Sequence, residues 1–138
     1  MRIVRRLLPL LLALVIAAGC SGRRSSGPGE GPTRQDDLRE VASMLALFSG
    51  EHRRGYAKPT DLAGYEAGHP LGYLAVVSGA LVIVPGATMP GEGEKGGTTA
   101  VVAYEKDVPT QGGLVLLHNG TVKKMTAAEF TAAPKGGG

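Results

Sequence analysis

The dipeptide Asn119-Gly120 narrows the choice of folds more than any other feature of this sequence. It lies within residues 113–125, between an apolar run and a run that contains two lysines. Asn-Gly favours the positive φ angles of a type I′ turn, whose twist matches that of the flanking strands. The segment therefore predicts a β-hairpin in which Leu117 faces Val122. The first strand is apolar on both faces, which indicates an interior strand, whereas lysines are typical of an edge strand.

A short helix is predicted directly after this hairpin. Thr126 and Glu129 have the spacing of a capping box, in which each side chain accepts a hydrogen bond from the backbone N–H of the other residue. Met125 and Phe130 occupy the two positions of a hydrophobic staple. Pro134 cannot continue a helix, so the helix is expected to end before it.

The longest predicted helix covers residues 34–50. Its apolar residues recur at the spacing of one helix face; they are Leu38, Val41, Ala42, Leu45 and Phe48. Gly50 is expected to end this helix in the left-handed conformation. A second, shorter helix is expected to begin at Pro70 and to end before Gly79.

Two β-branched runs, residues 80–84 and 99–105, are bounded by Gly and Pro and predict further strands. The chain is therefore expected to be an α+β protein. Its N-terminal helix should pack on a small, mainly antiparallel sheet of about four strands that ends in the hairpin and the short final helix. Residues 35–138 suffice for a single small domain, and the last of them are expected to be disordered.

The N-terminus has the parts of an export signal. Three arginines and no acidic residue precede the apolar segment from Leu7 to Ala18, which is 12 residues long and is interrupted only by Pro9. A membrane-spanning helix needs about 20 apolar residues, so this segment is too short to span a bilayer stably. A basic start, a short apolar segment and small residues before a cleavage site are typical of a secretory signal.

The sequence AAGC, residues 17–20, resembles the lipobox of bacterial lipoproteins, with Ala17 where leucine is commoner, and it contains the only cysteine of the chain. The resemblance implies that residues 1–19 are removed and that Cys20 receives a diacylglycerol. It also implies a location in the cell envelope, lipid-anchored on the extracytoplasmic side, and Ser21 favours the outer membrane where there is one. Two alternatives stay open: a plain secretory signal with an incidental cysteine, and an uncleaved anchor.

Residues 20–34 are predicted to be the lipidated cysteine and a flexible tether. After Cys20 the segment contains no aliphatic or aromatic side chain. Such a segment cannot bury enough apolar area to offset the entropy that is lost when it becomes ordered.

The charge of the mature chain is balanced. The whole chain has 15 Lys+Arg and 12 Asp+Glu, and three of the arginines belong to the signal, which leaves 12 basic residues against 12 acidic ones. Nucleic-acid binding needs a clustered positive surface. The sequence therefore predicts no nucleic-acid partner.

Neither catalysis nor metal binding is predicted. The three histidines, His52, His69 and His118, lack metal-ligand spacing, and a single cysteine argues against a structural zinc site. No serine lies in a Gly-x-Ser-x-Gly motif. Residues 91–99 lack the spacing of a phosphate-binding loop, and two glutamates within them would repel phosphate. We therefore expect no catalytic residue, cofactor or metal; a small hydrolase is the least favoured alternative.

Residues 101–130 are similar to the C-terminal segment of small, uncharacterised exported bacterial proteins, and their hairpin resembles one that ends pseudopilin-like secreted proteins. The shared pattern is an AYEK strand, Gly-Gly, an apolar strand and a Met-Thr-x-x-Glu-Phe close, with Asn119 and Thr121 in place of Asp and Ser. The resemblance implies an exported α+β module without naming an activity. The predicted function is a binding or structural module of the envelope, held by membrane lipid through Cys20, with an envelope protein as a further partner. The alternative is an accessory subunit of a secretion or pseudopilin-type machine.

Overall fold

The structure is a computed structural model that describes residues 33–91, 94 and 96–136. The predicted signal peptide, Cys20 and all but the last two residues of the predicted tether lie outside these residues. The described helices are α1 (Arg34–His52), a 3₁₀ helix (Pro59–Tyr65), α2 (Pro70–Val77), α3 (Val108–Gln111) and α4 (Ala127–Ala132). None of these helices is long and apolar enough to cross a bilayer.

The strands form one antiparallel sheet in which each strand pairs with the next one along the chain. They are β1 (Leu81–Ile83), β2 (Val101–Glu105), β3 (Gly113–Leu117) and β4 (Val122–Met125). The order in the sheet is β1-β2-β3-β4, so β3 is an interior strand and β4 an edge strand. The predicted α+β class is therefore confirmed, with the long N-terminal helix, the four-stranded antiparallel sheet and the short final helix.

Both faces of the sheet are covered by apolar side chains. One face packs against α1, whose buried residues are Leu38, Val41, Met44, Leu45 and Phe48. The other face packs against α3 and α4 through a second cluster, formed by Val101, Val108, Val115, Leu117, Met125 and Phe130. Strand β3 serves both, because Leu116 belongs to the first cluster and its two neighbours belong to the second. This double burial explains why β3 is apolar on both sides.

The predicted register of the hairpin is wrong by one residue. Leu116, and not Leu117, faces Val122. The N–H of Leu117 donates to the carbonyl of Thr121 at 2.9 Å, and the N–H of Gly120 donates to the carbonyl of Leu117 at 2.8 Å. The loop therefore has three residues, with only Gly120 at positive φ (84°), which is the second common hairpin geometry.

Contacts with the neighbouring segment explain this choice of turn. The N–H of His118 donates to the carbonyl of Ala100 at 2.8 Å, and the N–H of Asn119 donates to the carbonyl of Thr98 at 3.0 Å. These bonds extend the pairing between β2 and β3 into the turn, so His118 and Asn119 keep an ordinary negative φ. A two-residue type I′ turn would need a positive φ at Asn119.

The helix α1 begins at Arg34 as predicted, whereas its C-terminal end and the domain boundary differ from the prediction. Thr33 is its N-cap and forms a capping box with Asp36, whose carboxylate accepts from the N–H of Thr33 at 3.1 Å. The domain therefore begins two residues before the predicted boundary at residue 35. At the other end, α1 continues past Gly50, and Arg53 (φ 50°) is the left-handed residue that ends it.

Tertiary contacts hold the segment that follows α1. The guanidinium of Arg54 lies 4.7 Å from the centre of the Phe48 ring and 3.0 Å from Oδ1 of Asp61. The other carboxylate oxygen of Asp61 accepts from the N–H groups of Ala57 and Lys58 at 2.9 and 3.0 Å. One aspartate thus connects the end of α1 to the start of the 3₁₀ helix.

We expect the free energy of unfolding of Asp61→Asn to depend less on pH, between about pH 4 and pH 2, than that of the wild type. The hydrogen bond from Arg54, with those from the backbone, lowers the pKa of Asp61 to about 2. An unfolded aspartate has a pKa of about 3.9, so the ionised group stabilises the fold above about pH 4 and this contribution is lost as pH falls towards 2. Urea denaturation across that range should show a shallower loss for Asp61→Asn, from a lower starting stability at neutral pH. Parallel curves for both proteins would contradict the assignment.

Candidate functional site

The first candidate site is a hollow at the turn of the β3–β4 hairpin, which we call the His118 pocket. Its volume is about 420 Å³, and its walls are residues 118–120 of the turn and residues 89–91, 94, 96 and 97 of the segment before β2. The two walls lie close together, since a Cβ atom on Gly97 would be 2.3 Å from the Cα of Asn119. The turn residues Asn119 and Gly120 that the sequence identifies therefore form one side of this pocket.

His118 is held by the segment before β2. Its side chain is buried, and the residue is 8% exposed. Its Nδ1 accepts a hydrogen bond from the N–H of Thr98 at 3.0 Å and lies 3.4 Å from the Thr98 hydroxyl. An imidazole nitrogen that accepts an N–H carries no proton, so the neutral ring has its proton on Nε2.

These hydrogen bonds give His118 a structural role. A histidine base needs a free nitrogen beside a nucleophile, but its Nδ1 is occupied by the backbone N–H of Thr98. The Thr98 hydroxyl itself accepts from the N–H of Ala100 at 3.3 Å. Glu94, the acid of the pocket, accepts from the N–H of Gly91 at 3.0 Å. Histidine, hydroxyl and acid are therefore neighbours, and each accepts a hydrogen bond from a backbone N–H.

The second candidate is a polar cleft of about 500 Å³ beside the first residue of α1, which we call the Arg34 cleft; the end of α2 and the β2–α3 connection form its other walls. The guanidinium of Arg34 lies 3.0 Å from Oδ2 of Asp37 and 3.9 Å from Oε1 of Glu105. The other oxygen of Glu105 accepts from the N–H of Leu114 at 2.7 Å. Burial raises the pKa of Asp37, and Arg34 opposes that rise. Arg34 is thus paired with two carboxylates, one of which also accepts a backbone hydrogen bond.

The third candidate is a row of apolar side chains on α2, Leu71, Leu74 and Val77, which we call the apolar stripe. They are 37%, 63% and 53% exposed. Residues three apart lie on the same side of a helix, so these three side chains form one surface. Contiguous exposed apolar patches mark contact sites more often than isolated apolar residues do.

Packing against α1 fixes which side of α2 faces outward. A Cβ atom on Gly72 would lie 2.7 Å from the Cβ of Glu40 and 3.1 Å from the carbonyl oxygen of Asp37, so only glycine allows this approach. Oε2 of Glu40 accepts from the N–H of Gly72 at 2.7 Å, in the first turn of α2. Ala75 and Val76 are also buried. The stripe lies on the side that remains.

The stripe lies beside the point where the chain enters the domain. Arg34 lines a hollow of about 220 Å³ together with Leu71 and Leu74. Thr33 is the first described residue, so the 32 residues before it join the domain next to the stripe. The sequence pattern predicts neither the stripe nor the Arg34 cleft.

The remaining predicted residues lie at the start of α4. Oγ1 of Thr126 accepts from the N–H of Glu129 at 3.1 Å, and Oε2 of Glu129 accepts from the N–H of Thr126 at 2.7 Å, which is a capping box. The backbone hydrogen bond from Thr126 lowers the pKa of Glu129. Met125 and Phe130 flank this box in the second core cluster. Their geometry makes this a structural feature of the fold.

Within the described part of the chain, no three His, Cys, Asp or Glu side chains come together in a group that could hold a metal ion. Comparison of the sequence with protein-family models and with curated proteins, and of the fold with solved structures, finds no match.

Proposed function

We propose that the protein is an exported lipoprotein, anchored to a membrane of the bacterial cell envelope through an acylated Cys20. Its folded domain then acts as a binding or structural module on the extracytoplasmic side. The observation on which this rests is the AAGC sequence after a basic start and an apolar segment of 12 residues. Two or three acyl chains hold a small domain firmly on a bilayer, because each buried methylene contributes about 0.8 kcal/mol.

The position of the folded domain supports this proposal. Its first helix is capped at Thr33, 13 residues after Cys20. A flexible chain of that length has an end-to-end distance of about 20 Å, which keeps a tethered domain close to the lipid surface. The domain contains no cysteine of its own, so its fold does not depend on disulfides.

Cys20→Ser should abolish lipid attachment. The full chain is expressed in bacteria fed with labelled palmitate, and the membrane fraction is examined for labelled protein. The wild-type protein should be labelled and should have Cys20 as its modified N-terminus in an intact-mass measurement, because the thiol is the only acceptor in the motif. The neighbouring substitution Ser21→Ala is the control and should keep the label. Equal labelling of the wild type and Cys20→Ser, or a mature protein that still begins at Met1, would refute the proposal.

An accessory role in a secretion or pseudopilin-type machine is the second proposal. It rests on the resemblance of residues 101–130 alone. The hydrogen bonds of His118 give no support to the hydrolase alternative.

A further inference from the structure

We infer that the apolar stripe on α2 lies against the same bilayer that holds Cys20, so that the domain rests on the membrane in one orientation. This inference rests on the proposed lipid anchor and goes beyond it, since an anchor alone leaves the domain free to turn. The ligand class is the interfacial region of a phospholipid bilayer.

The stripe is exposed to solvent. Leu74 and Val77 are more than half exposed, whereas Gly72, Ala75 and Val76 of the same helix are buried. The sequence of α2 contains no charged residue, and its outward side is apolar along its whole length of eight residues. Helices that lie at a bilayer surface insert such a side about 5–10 Å into the boundary between headgroups and acyl chains.

The predicted tether joins the domain beside the stripe. Arg34 shares a hollow with Leu71 and Leu74, so the chain that leads back to Cys20 starts beside the stripe. With 12 residues between Cys20 and Thr33, the average distance from the anchor to the start of an anchored domain is about 20 Å. The anchor thus turns docking of the stripe into an intramolecular event with a high effective concentration, which makes even a weak contact sufficient.

The charges around the stripe are compatible with a lipid surface. Arg34 and Lys106 line the cleft at the C-terminal end of α2. Glu105 and Asp107 line the same cleft and balance them, so electrostatic attraction by the domain is small. The apolar side chains therefore supply the contact, and the tether arginines Arg23 and Arg24 add attraction to anionic lipid.

The size of the stripe argues for a bilayer over a second copy of the chain. A stable protein interface buries about 800 Å² on each partner, and three partly exposed side chains offer only a fraction of that area. Contact with a lipid surface needs no such minimum buried area when the protein is already tethered to that surface. The stripe is thus large enough for a membrane contact and too small for a stable dimer on its own.

The test places a fluorescent label on the stripe of the full, lipidated protein. Acylation blocks the thiol of Cys20, so Leu74→Cys offers a single reactive thiol. Ala128→Cys, at an exposed position on α4 across the sheet, is the matched control. Both proteins are reconstituted into phosphatidylcholine vesicles whose acyl chains bear a quencher. The label on Leu74→Cys should lose most of its emission, whereas the label on Ala128→Cys should keep it.

A second variant separates docking from anchoring. Adding Leu71→Ser and Val77→Ser to Leu74→Cys should restore the emission, while flotation with the vesicles and the melting temperature stay unchanged. If wild-type protein floats with vesicles but both labels are equally bright, the inference is overturned and the anchor stands. Crosslinking of Leu74→Cys to a second copy, without quenching, would also overturn it and would make the stripe a self-association surface. If the protein does not float at all, the anchor fails and the inference fails with it.

Discussion

Phe48→Ala is expected to lower the free energy of unfolding by about 3–5 kcal/mol. The Phe48 side chain is 1% exposed and belongs to the cluster between α1 and the sheet. Its ring also lies 4.7 Å, centre to centre, from the ring of His52, and the guanidinium of Arg54 is stacked over it. Alanine would leave a cavity and release the segment after α1. Because small domains have a total stability of about 5–15 kcal/mol, this single change should remove a large share of it.

Leu47→Ala is the matched control, since Leu47 is the neighbouring residue of the same helix and is 45% exposed. Its removal should change the stability by no more than about 0.5 kcal/mol, as is usual for a surface position. Urea denaturation followed by far-UV circular dichroism measures both variants. A loss at Phe48→Ala no larger than that at Leu47→Ala would mean that this cluster is not the core of the domain.

Gly55→Ala is expected to destabilise the domain by about 1–3 kcal/mol, the usual range for overpacking. A Cβ atom at this position would lie 2.3 Å from the carbonyl oxygen of Gly86 and 2.6 Å from its carbonyl carbon. Two hydrogen bonds join these backbone segments. The N–H of Tyr56 donates to the carbonyl of Ala87 at 2.8 Å, and the N–H of Gly86 donates to the carbonyl of Tyr56 at 2.7 Å. The segments therefore cannot move apart without weakening these hydrogen bonds. The clash is with backbone, so no change of rotamer relieves it.

Gly50→Ala should have the opposite sign. Gly50 lies in α1, and a Cβ atom there would meet nothing within 4 Å. Alanine in a helix is favoured over glycine by about 0.5–1 kcal/mol, so the variant should be more stable than the wild type. The two melting temperatures should therefore move to opposite sides of the wild-type value. A shift in the same direction for both would contradict the close approach at Gly55.

Local patterns predict the ends and the types of several elements well. Two examples are the capping box of Thr126 and Glu129 and the start of α2 at Pro70. Each depends on residues only a few positions apart, so a short stretch of sequence is enough to predict it. The short helix α3 is not predicted, because four residues are too few to show a helical period and its buried Val108 is recognisable only once the second cluster exists.

The hairpin illustrates where local information ends. Asn119-Gly120 does lie in the turn, yet a two-residue and a three-residue loop are both compatible with that dipeptide. Backbone hydrogen bonds from His118 and Asn119 to the segment before β2 select the three-residue loop. The register of the hairpin therefore differs by one residue from the predicted register. The extension of α1 past Gly50 has the same origin, since Arg54 is held by Phe48 and Asp61.

The candidate sites divide in the same way. The proposed acylation site at Cys20 is predicted from consecutive residues alone, because the parts of an export signal follow one another along the chain. The apolar stripe cannot be predicted from the sequence, because the sequence of α2 has no charged residue that would mark an exposed side. The contact of Gly72 with α1 decides which side of α2 is exposed. The sequence alone thus determines the α+β class, the interior position of β3, the cap of α4 and the start of α2, all of which follow from side-chain pattern over short spans. Tertiary structure alone decides the register, the end of α1 and the exposed face of α2, because each depends on contacts between residues far apart in the chain.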